Sequence, residues 1–330
     1  MFSFSAVFFF FVRLFAFHIR AALSFGEMLS RACLTTNLVG GLGNQLFLVA
    51  NLLATSQRNG VPAVLKRLPW SSSNEQPRPV YWQSIFEDLN AYGVGGDVPA
   101  GVPEVIVPEP RPVVPVKVDA SVNCVYNMVG FFQSEAFFAD CPVVRDALPS
   151  RLRNAAVQHL RENYGDPSTV QRVGLHIRRG DYLRMRDVFE ILDVDYYDAA
   201  VRQLLGHSLH LQSRGGGCEA HLLVFCEEER YGSSVVGYFR SKYPGLEASL
   251  VRAASERVPF ECGSHAPREV LELLMLSGCE DIVMSNSTWS WWAAYLNECP
   301  LRRVVAPSRW FVQHPYPQSN HLYRKDWILL

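Results

Sequence analysis

The fold is decided by the stretch LTTNLVGGLGNQLFLVAN, residues 34–51. Leu34–Val39 is a short apolar run that predicts a buried strand, Gly40–Gly43 predicts a tight turn, and Asn44–Asn59 has the pattern of a helix. A strand, a glycine turn and a helix in succession are typical of the opening of a doubly wound α/β domain. We therefore expect the N-terminal half of the chain to be such a domain.

A second α/β unit begins near Arg172. Strands are predicted at residues 173–177, 221–226, 281–284 and 304–307, the last of these being the final strand, and helices at 196–205, 268–277 and 288–296. Two such units in succession predict an α/β fold of two Rossmann-like domains that face each other across a cleft. We expect these domains at residues 34–165 and 166–330. Ligands of such folds bind beyond the carboxyl ends of the strands.

The segments between the predicted units carry weaker signals. Pro99–Pro115 contains six prolines, which exclude a helix and a central strand, so we expect an extended surface arm. Val125–Phe132 predicts a strand and Val143–Asn163 a long amphipathic helix. Trp70–Pro79 is expected to be a loop, and Gln212–Glu219, with three consecutive glycines, a flexible insertion.

The composition excludes several classes of protein. The 330 residues are 48% apolar and carry a formal net charge of −1, so the chain lacks the basic excess that nucleic-acid binding requires. No two of the eight cysteines form a CxxC pair, and we predict neither a zinc site nor a disulfide scaffold. The redox compartment stays open.

The first 33 residues are interpreted as a targeting segment. Phe2–Val12 is an apolar run, and Arg13, Arg20 and Arg31 lie along one helical stripe with no acidic residue before Glu27. An arginine-bearing, acid-poor, amphipathic segment is typical of a mitochondrial presequence, which is our expectation. The alternative is a signal-anchor that would hold a lumenal catalytic domain at the Golgi membrane, since the run is rich in phenylalanine.

Two motifs at predicted helix starts could hold an anion. Gly43 closes the first glycine turn, and Asn44 and Gln45 put two amides at the start of the helix. The second motif is SNSTWSWW, residues 285–292, in which Asn286, Ser287 and Thr288 precede a helix. Backbone N–H groups and the helix dipole favour a phosphate at such positions. The tryptophans of this motif are expected to belong to the core, with a platform for a ligand as the alternative.

Charged residues are concentrated in HIRRGDY, residues 176–182. Arg178 and Arg179 offer fixed forks of donors that match phosphate oxygens in pairs. The alternative is a solvated cluster of ion pairs. In FCEEE, residues 225–229, the acids could begin a helix, or a carboxylate of Glu227 or Glu228 could accept the N–H groups of guanine.

These residues, in this order, resemble glycosyltransferase family 11, the α-1,2-fucosyltransferases. The resemblance covers the chain from Leu38 to Trp310 and includes GGLGNQ, GFFQSE at residues 130–135, HIRRGDY, Tyr196-Tyr197 and SNST followed by SWWAAYL. The family usually has a serine and two aspartates where this chain has Cys226-Glu227-Glu228. The resemblance implies a GT-B fold with GDP-fucose in the C-terminal half and the acceptor facing the N-terminal half.

The resemblance also implies the reaction and its residues. Fucose would move with inversion from GDP-β-L-fucose to the 2-hydroxyl of a terminal β-galactose, and negative charge would grow on the leaving diphosphate. Preorganised hydrogen-bond donors are expected to stabilise this charge. Arg178 is the first candidate for the phosphate contact, with Arg179 beside it. The other expected donor contacts are Gly43, Asn44, Gln45, Asn286, Ser287 and Thr288 around the diphosphate, and His176 with Glu227 or Glu228 for guanosine.

A general base for the acceptor hydroxyl is also required. Asp181, Asp187 and Glu190 follow the core motif, and Glu135 could approach from the other domain, so all four stay open. No metal is expected, because Asp195, in an Asp193-Val194-Asp195 pattern, is explained as a helix N-cap. The alternatives to the main interpretation are a protein O-fucosyltransferase and an inactive GDP-sugar-binding module. The sequence leaves the oligomeric state open.

Overall fold

The computed structural model describes residues 32–71, 78–141, 143–212, 219–251, 267–312 and 319–330. Nearly all of the predicted targeting segment and most of the predicted insertion at 212–219 lie outside the described residues. Among the described residues no helix is both long enough and apolar enough to span a bilayer.

The N-terminal half contains a parallel three-stranded sheet in the order β1-β3-β2. Its strands are β1 (Cys33–Thr36), β2 (Glu104–Pro108) and β3 (Val125–Val129). The expectation of a surface arm at 99–115 was wrong for residues 104–108, which pair with β3. The prolines are compatible with this because β2 is an edge strand, where missing N–H donors face solvent.

The C-terminal half contains a parallel six-stranded sheet in the order β6-β5-β4-β7-β8-β9. Its strands are β4 (Val170–Ile177), β5 (Glu219–Cys226), β6 (Glu247–Leu250), β7 (Asp281–Val283), β8 (Arg303–Ala306) and β9 (Ile328–Leu329). The prediction that the strand at 304–307 is the last was wrong, since β9 pairs with β8. Strands β4 and β5 are buried along most of their length, as expected for the centre of a parallel sheet.

Seven α-helices are present among the described residues. They are α1 (Leu42–Asn59), α2 (Val143–Asp146), α3 (Ser150–Tyr164), α4 (Val194–Gln212), α5 (Glu229–Lys242), α6 (Arg268–Ser277) and α7 (Thr288–Leu296). The predicted single helix at 143–163 is two helices, because Pro149 interrupts the pattern and stands at the N-cap of α3. The predicted bounds of α6 and α7 agree with the structure.

The N-terminus of α4 corrects one capping assignment. We expected Asp195 to be the N-cap, but Asp193 Oδ1 accepts the backbone N–H groups of Asp195 and Tyr196, at 3.1 and 3.2 Å. Asp195 lies in the first turn of the helix. The DxD pattern therefore has a local structural explanation, in which Asp193 and not Asp195 caps the helix.

One hydrophobic core joins the two halves. Phe47 of α1 packs against Trp291 and Trp292 of α7, with ring centroids 4.5 and 5.1 Å apart. Both tryptophans are buried, so they belong to the core, as expected. The last residues of the chain also return to the N-terminal half, where Arg324 pairs with Glu135.

Candidate active site

A cleft of about 1150 Å³ lies between the two halves, and residues of both halves line it. Eight of the predicted site residues are in its lining: Gly43, Asn44, His176, Arg178, Asp181, Glu227, Ser287 and Thr288. Six others are not: Gln45, Arg179, Asp187, Glu190, Glu228 and Asn286. The cleft opens at the carboxyl end of β4 and β5, where ligands of parallel α/β sheets bind.

Two helix N-termini meet in this cleft. A side chain at Gly43 in the first turn of α1 would stand 2.6 Å from Thr288 Oγ1 and 2.6 Å from the N atom of Trp289, so only glycine permits the contact. Thr288 Oγ1 donates a hydrogen bond to Asn44 Oδ1 at 3.0 Å. Each N-terminus carries a partial positive charge, so the pair forms a site for an anion.

The amide of Asn44 is also held by a second contact, since Gln133 Nε2 donates to its Oδ1 at 3.0 Å. Ser287 is the N-cap of α7, and its Oγ accepts the N–H of Trp289 at 3.3 Å. Asn44 and Thr288, two of the residues predicted to contact the donor, thus join the two helices to each other. Their positions are fixed before any ligand binds, which is the preorganisation that anion stabilisation needs.

Two predicted donor contacts are buried structural amides. Gln45 is fully buried, and its Nε2 donates to the carbonyl oxygens of Gly40 and Pro79 at 3.0 and 2.9 Å. Asn286 donates to the carbonyl oxygens of Glu190 and Trp310, both at 2.9 Å. Both amides hold the loops around the cleft.

Arg178 occupies the centre of the charged site. Its Nη2 donates to Asp181 Oδ1 at 2.5 Å, and its Nη1 lies 3.7 Å from Glu227 Oε1. The other carboxylate oxygen of Asp181 faces Arg78 Nη2 at 3.5 Å. Asp181 therefore lies between two arginines, one from each half of the chain.

The neighbouring arginine points elsewhere. Arg179 Nε donates to Glu228 Oε2 at 2.9 Å, and its guanidinium carbon lies 3.8 Å from the centre of the Tyr231 ring. Its backbone N–H donates to Glu227 Oε1 at 2.9 Å. Arg179 and Glu228 thus form a structural pair at the N-terminus of α5, and Glu227 is the acid of the two alternatives that lines the cleft.

His176 is a neutral group at the floor of the cleft. Burial, with Arg178 as a second cause, lowers the pKa of its imidazole to about 3. Its Nδ1 lies 2.8 Å from Ser285 Oγ, and its ring centre lies 4.5 Å from that of Trp289. An uncharged imidazole against an aromatic ring suits a planar polar base better than a phosphate.

The four candidates for the general base have different surroundings. Asp181 is paired with two arginines, and Glu135 is paired with Arg324 outside the lining of the cleft. Asp187 is exposed and also outside the lining. Glu190 contributes its backbone oxygen to Asn286, and its side chain is not part of the lining.

Sequence analysis missed several residues of the cleft. The N-terminal turn of α6 supplies Glu269, whose Oε1 accepts the hydroxyl of Tyr81 at 2.9 Å, and Arg268, paired with Glu272 at 2.6 Å. Arg78, Glu109, Arg111, Phe131, Arg184 and His321 also line the cleft. A loop, a proline-rich arm and the C-terminal segment carry most of them, and no motif in the sequence distinguishes them from surface charge.

No cluster of potential metal ligands was found within the described ranges. The most suggestive pattern, Asp193-Val194-Asp195, is used for capping α4. The anion site is formed instead by arginine and by helix N-termini.

Two facing parallel sheets with a shared cleft define the GT-B class of glycosyltransferases. In keeping with this fold, the chain is similar to the crystal structure of fucosyltransferase NodZ from Bradyrhizobium, with a TM-score of 0.50 and 16% sequence identity. The likeness covers 81% of this chain and 93% of that one. The expected α/β, GT-B fold class is thereby confirmed.

Sequence comparison finds a family match in the C-terminal part of the chain. Residues 251–330 match the family model Glycosyl transferase family 11. The chain is 27% identical over 159 residues to the O-antigen biosynthesis glycosyltransferase WbnK of Escherichia coli, and 22% identical over 201 residues to an α-1,2-colitosyltransferase of the same organism. These alignments cover 47% and 59% of this chain, and 43% and 59% of the relatives. The C-terminal part of the chain is therefore similar to glycosyltransferase family 11.

Proposed function

We propose that this protein transfers L-fucose from GDP-β-L-fucose to the 2-hydroxyl of a terminal β-galactose, with inversion to an α-1,2 linkage. The observation that carries the proposal is the convergence of Arg178 with the N-termini of α1 and α7 in one cleft, in a chain whose residues 251–330 match the family 11 model. Such a site suits a diphosphate leaving group. One curated relative is named for α-1,2 transfer, which supports the linkage.

The leaving diphosphate gains negative charge as the bond to fucose breaks. Arg178 would meet it with paired charge-assisted hydrogen bonds, and the two helix N-termini would add their aligned N–H groups. Because these donors are already fixed, little reorganisation is required when the charge develops.

Asp181 has a positioning role in this proposal. Its contact of 2.5 Å holds the Arg178 guanidinium, and its other oxygen faces Arg78 at 3.5 Å. Both carboxylate oxygens of Asp181 face arginines, so neither is left free to accept the proton of the acceptor hydroxyl.

The nucleoside would lie against His176 and Trp289. The imidazole is neutral at physiological pH, and Glu227 is the cleft carboxylate nearest to Arg178 among the predicted guanosine contacts. The acceptor would then enter from the side of the N-terminal half.

The test is incubation of the purified protein with GDP-fucose and a panel of β-galactosides, with linkage analysis of the product. We expect an α-1,2-fucosylated galactose and release of GDP. Product on peptide hydroxyls alone would favour a protein O-fucosyltransferase, and binding of GDP-fucose without turnover would favour an inactive binding module.

Transfer is proposed to need no divalent metal. We expect activity to survive exhaustive chelation in both the wild type and Asp193→Ala. Because Asp193 caps α4, this variant should lose about 0.5–2 kcal/mol of unfolding free energy and keep its turnover. Activity that is lost on chelation and restored by manganese or magnesium would contradict the proposal.

We also propose that residues 1–33 direct the protein to mitochondria. The support is the arginine stripe and the lack of acids in the first 26 residues. The Golgi membrane is the alternative.

A further inference from the structure

The proline-rich arm brings a carboxylate into the cleft. Glu109 follows directly after β2 and lines the cleft from the N-terminal half. Its Oε2 accepts the backbone N–H groups of Phe131 and Phe132, at 2.9 and 2.7 Å. Its Oε1 accepts no hydrogen bond, and the carboxylate has no ion-pair partner, within the described part of the chain. Glu109 is therefore oriented by neutral donors and keeps one oxygen available.

The other acidic residues that line the cleft face an arginine or lie on the side of the cleft proposed for the nucleoside. Asp181 and Glu227 face Arg178, and Glu272 is paired with Arg268. Glu269 accepts the hydroxyl of Tyr81, and its backbone oxygen accepts Trp289 Nε1 at 3.0 Å. This contact puts Glu269 beside the ring that packs on His176, which is the side proposed for the nucleoside.

The loop that Glu109 holds leads directly to the anion site. Phe132 has a φ of +51°, a conformation that a bulky residue adopts only when its surroundings impose it, and Glu109 binds its N–H. The next residue, Gln133, donates to Asn44, which in turn accepts the hydroxyl of Thr288. Three hydrogen bonds thus connect the Glu109 carboxylate, through Phe132 and Gln133, to the anion site at the N-termini of α1 and α7.

A neighbouring histidine leaves the charge of Glu109 unpaired. His321 also lines the cleft. Burial is the largest effect on its imidazole and lowers the pKa. Glu109 raises this pKa by less, and Arg111 lowers it further. A neutral imidazole adds a polar wall without forming a salt bridge. Nothing in the described surroundings therefore competes with an incoming hydroxyl for Glu109 Oε1.

We propose that Glu109 is the general base of the transfer, an inference that rests on the proposed function. The acceptor 2-hydroxyl would donate its proton to Glu109 Oε1 as its oxygen bonds to C1 of fucose. The C1–O bond to the β-phosphate breaks, and its electron pair leaves with GDP. Inversion requires the acceptor to attack from the face opposite the diphosphate. Glu109 lines the cleft from the N-terminal half and Arg178 from the C-terminal half, an arrangement that would allow such an attack.

The experiment is steady-state kinetics of Glu109→Gln beside Glu104→Gln. Glutamine keeps a side-chain oxygen for the N–H groups of Phe131 and Phe132 but cannot take a proton from an alcohol. We expect kcat to fall by about 10²–10⁴-fold in Glu109→Gln, with unchanged GDP affinity and melting temperature. Glu104 lies at the start of β2, outside the lining of the cleft, and accepts a hydrogen bond from Asn127, so its variant should keep wild-type kcat.

Three outcomes would overturn the inference. The first is a kcat for Glu109→Gln within about threefold of the wild type, since a lost general base costs far more. The second is a loss of GDP affinity or melting temperature that accounts for the whole decrease, which would make Glu109 a loop-holding residue. The third is a large kcat loss in Glu269→Gln with none in Glu109→Gln. A wild type that consumes no GDP-fucose with any acceptor would instead contradict the proposed function itself.

Discussion

Neighbouring residues of the HIRRGDY motif have different tasks because the backbone turns their side chains in different directions. Arg178 faces the cleft, whereas Arg179 stacks on Tyr231 and binds Glu228. Asp181 orients Arg178, and Tyr182 donates its hydroxyl to the backbone oxygen of Asn286 at 3.0 Å. The motif therefore combines one proposed phosphate contact with several supporting side chains.

His176 should make stability depend on pH. Its folded-state pKa of about 3 lies below the ordinary value of 6.5. Below pH 6.5 the unfolded chain therefore binds a proton that the folded protein does not, so stability decreases as the pH falls from about 6.5 toward 3. From pH 7.5 to 5 the contribution of this one group is about 2 kcal/mol.

The measurement is the free energy of unfolding at pH 7.5 and at pH 5, for the wild type and His176→Asn. Asparagine stays uncharged and can still bond Ser285, so the loss between the two pH values should be smaller by about 2 kcal/mol in the variant. Equal losses in both proteins would contradict a neutral, buried His176.

At the scale of elements, the site depends on how closely α1 and α7 approach. Gly43→Ala would bring a methyl group to 2.6 Å from Trp289 N, so the helices must separate. We expect a destabilisation of about 1–3 kcal/mol and weaker binding of GDP, because Asn44 and Thr288 lose their contact. Calorimetric titration of GDP and chemical denaturation check both effects.

The matched control for this change is Gly237→Ala in α5. Gly237 is exposed, and nothing lies within 4 Å of an added methyl group there. Alanine should stabilise this helix by about 0.5–1 kcal/mol and leave GDP binding unchanged. A Gly43→Ala protein with the same profile as Gly237→Ala would show that the helix contact is unimportant.

Regular elements were predictable where local patterns determined them. The leucine stripe of α6 and the small-residue start of α7 gave their bounds, and the apolar runs of β4 and β5 gave central strands. Edge strands were harder. The pairing of β2 with β3 outweighs its prolines, and β9 consists of two residues that only the neighbouring β8 holds in place.

At the scale of the whole molecule, the cleft is built from residues that are distant in sequence. Glycine turns and arginines after strands were visible in the sequence because they follow the carboxyl ends of predicted strands. Arg78, Glu109 and Glu269 were not, because a loop, an arm and a helix start bring them to the cleft only through tertiary packing. The same packing buries Gln45 and Asn286, whose amides bind backbone carbonyl groups of the loops around the cleft.

The targeting proposal is tested on the first segment of the chain. We expect a fusion of residues 1–34 to a fluorescent reporter to enter mitochondria and to be shortened there, as a presequence is. A fusion of residues 35–68 serves as the control and should stay unimported. Retention of the first fusion at the Golgi as an uncleaved membrane protein would contradict the mitochondrial assignment.

The central claim is that Arg178 stabilises the leaving GDP of a fucosyl donor. The most direct test is the initial rate of fucose transfer from GDP-fucose by Arg178→Ala, compared with Arg186→Ala. Arg186 is exposed, bonds only the backbone oxygen of Leu183 in the described structure, and lies outside the cleft lining. Each lost charge-assisted bond is worth about 1.5–3 kcal/mol, or about tenfold to a hundredfold in rate per bond. We predict that Arg178→Ala loses transfer while its melting temperature is kept, and that Arg186→Ala retains wild-type turnover. Near-normal turnover in Arg178→Ala would contradict the account.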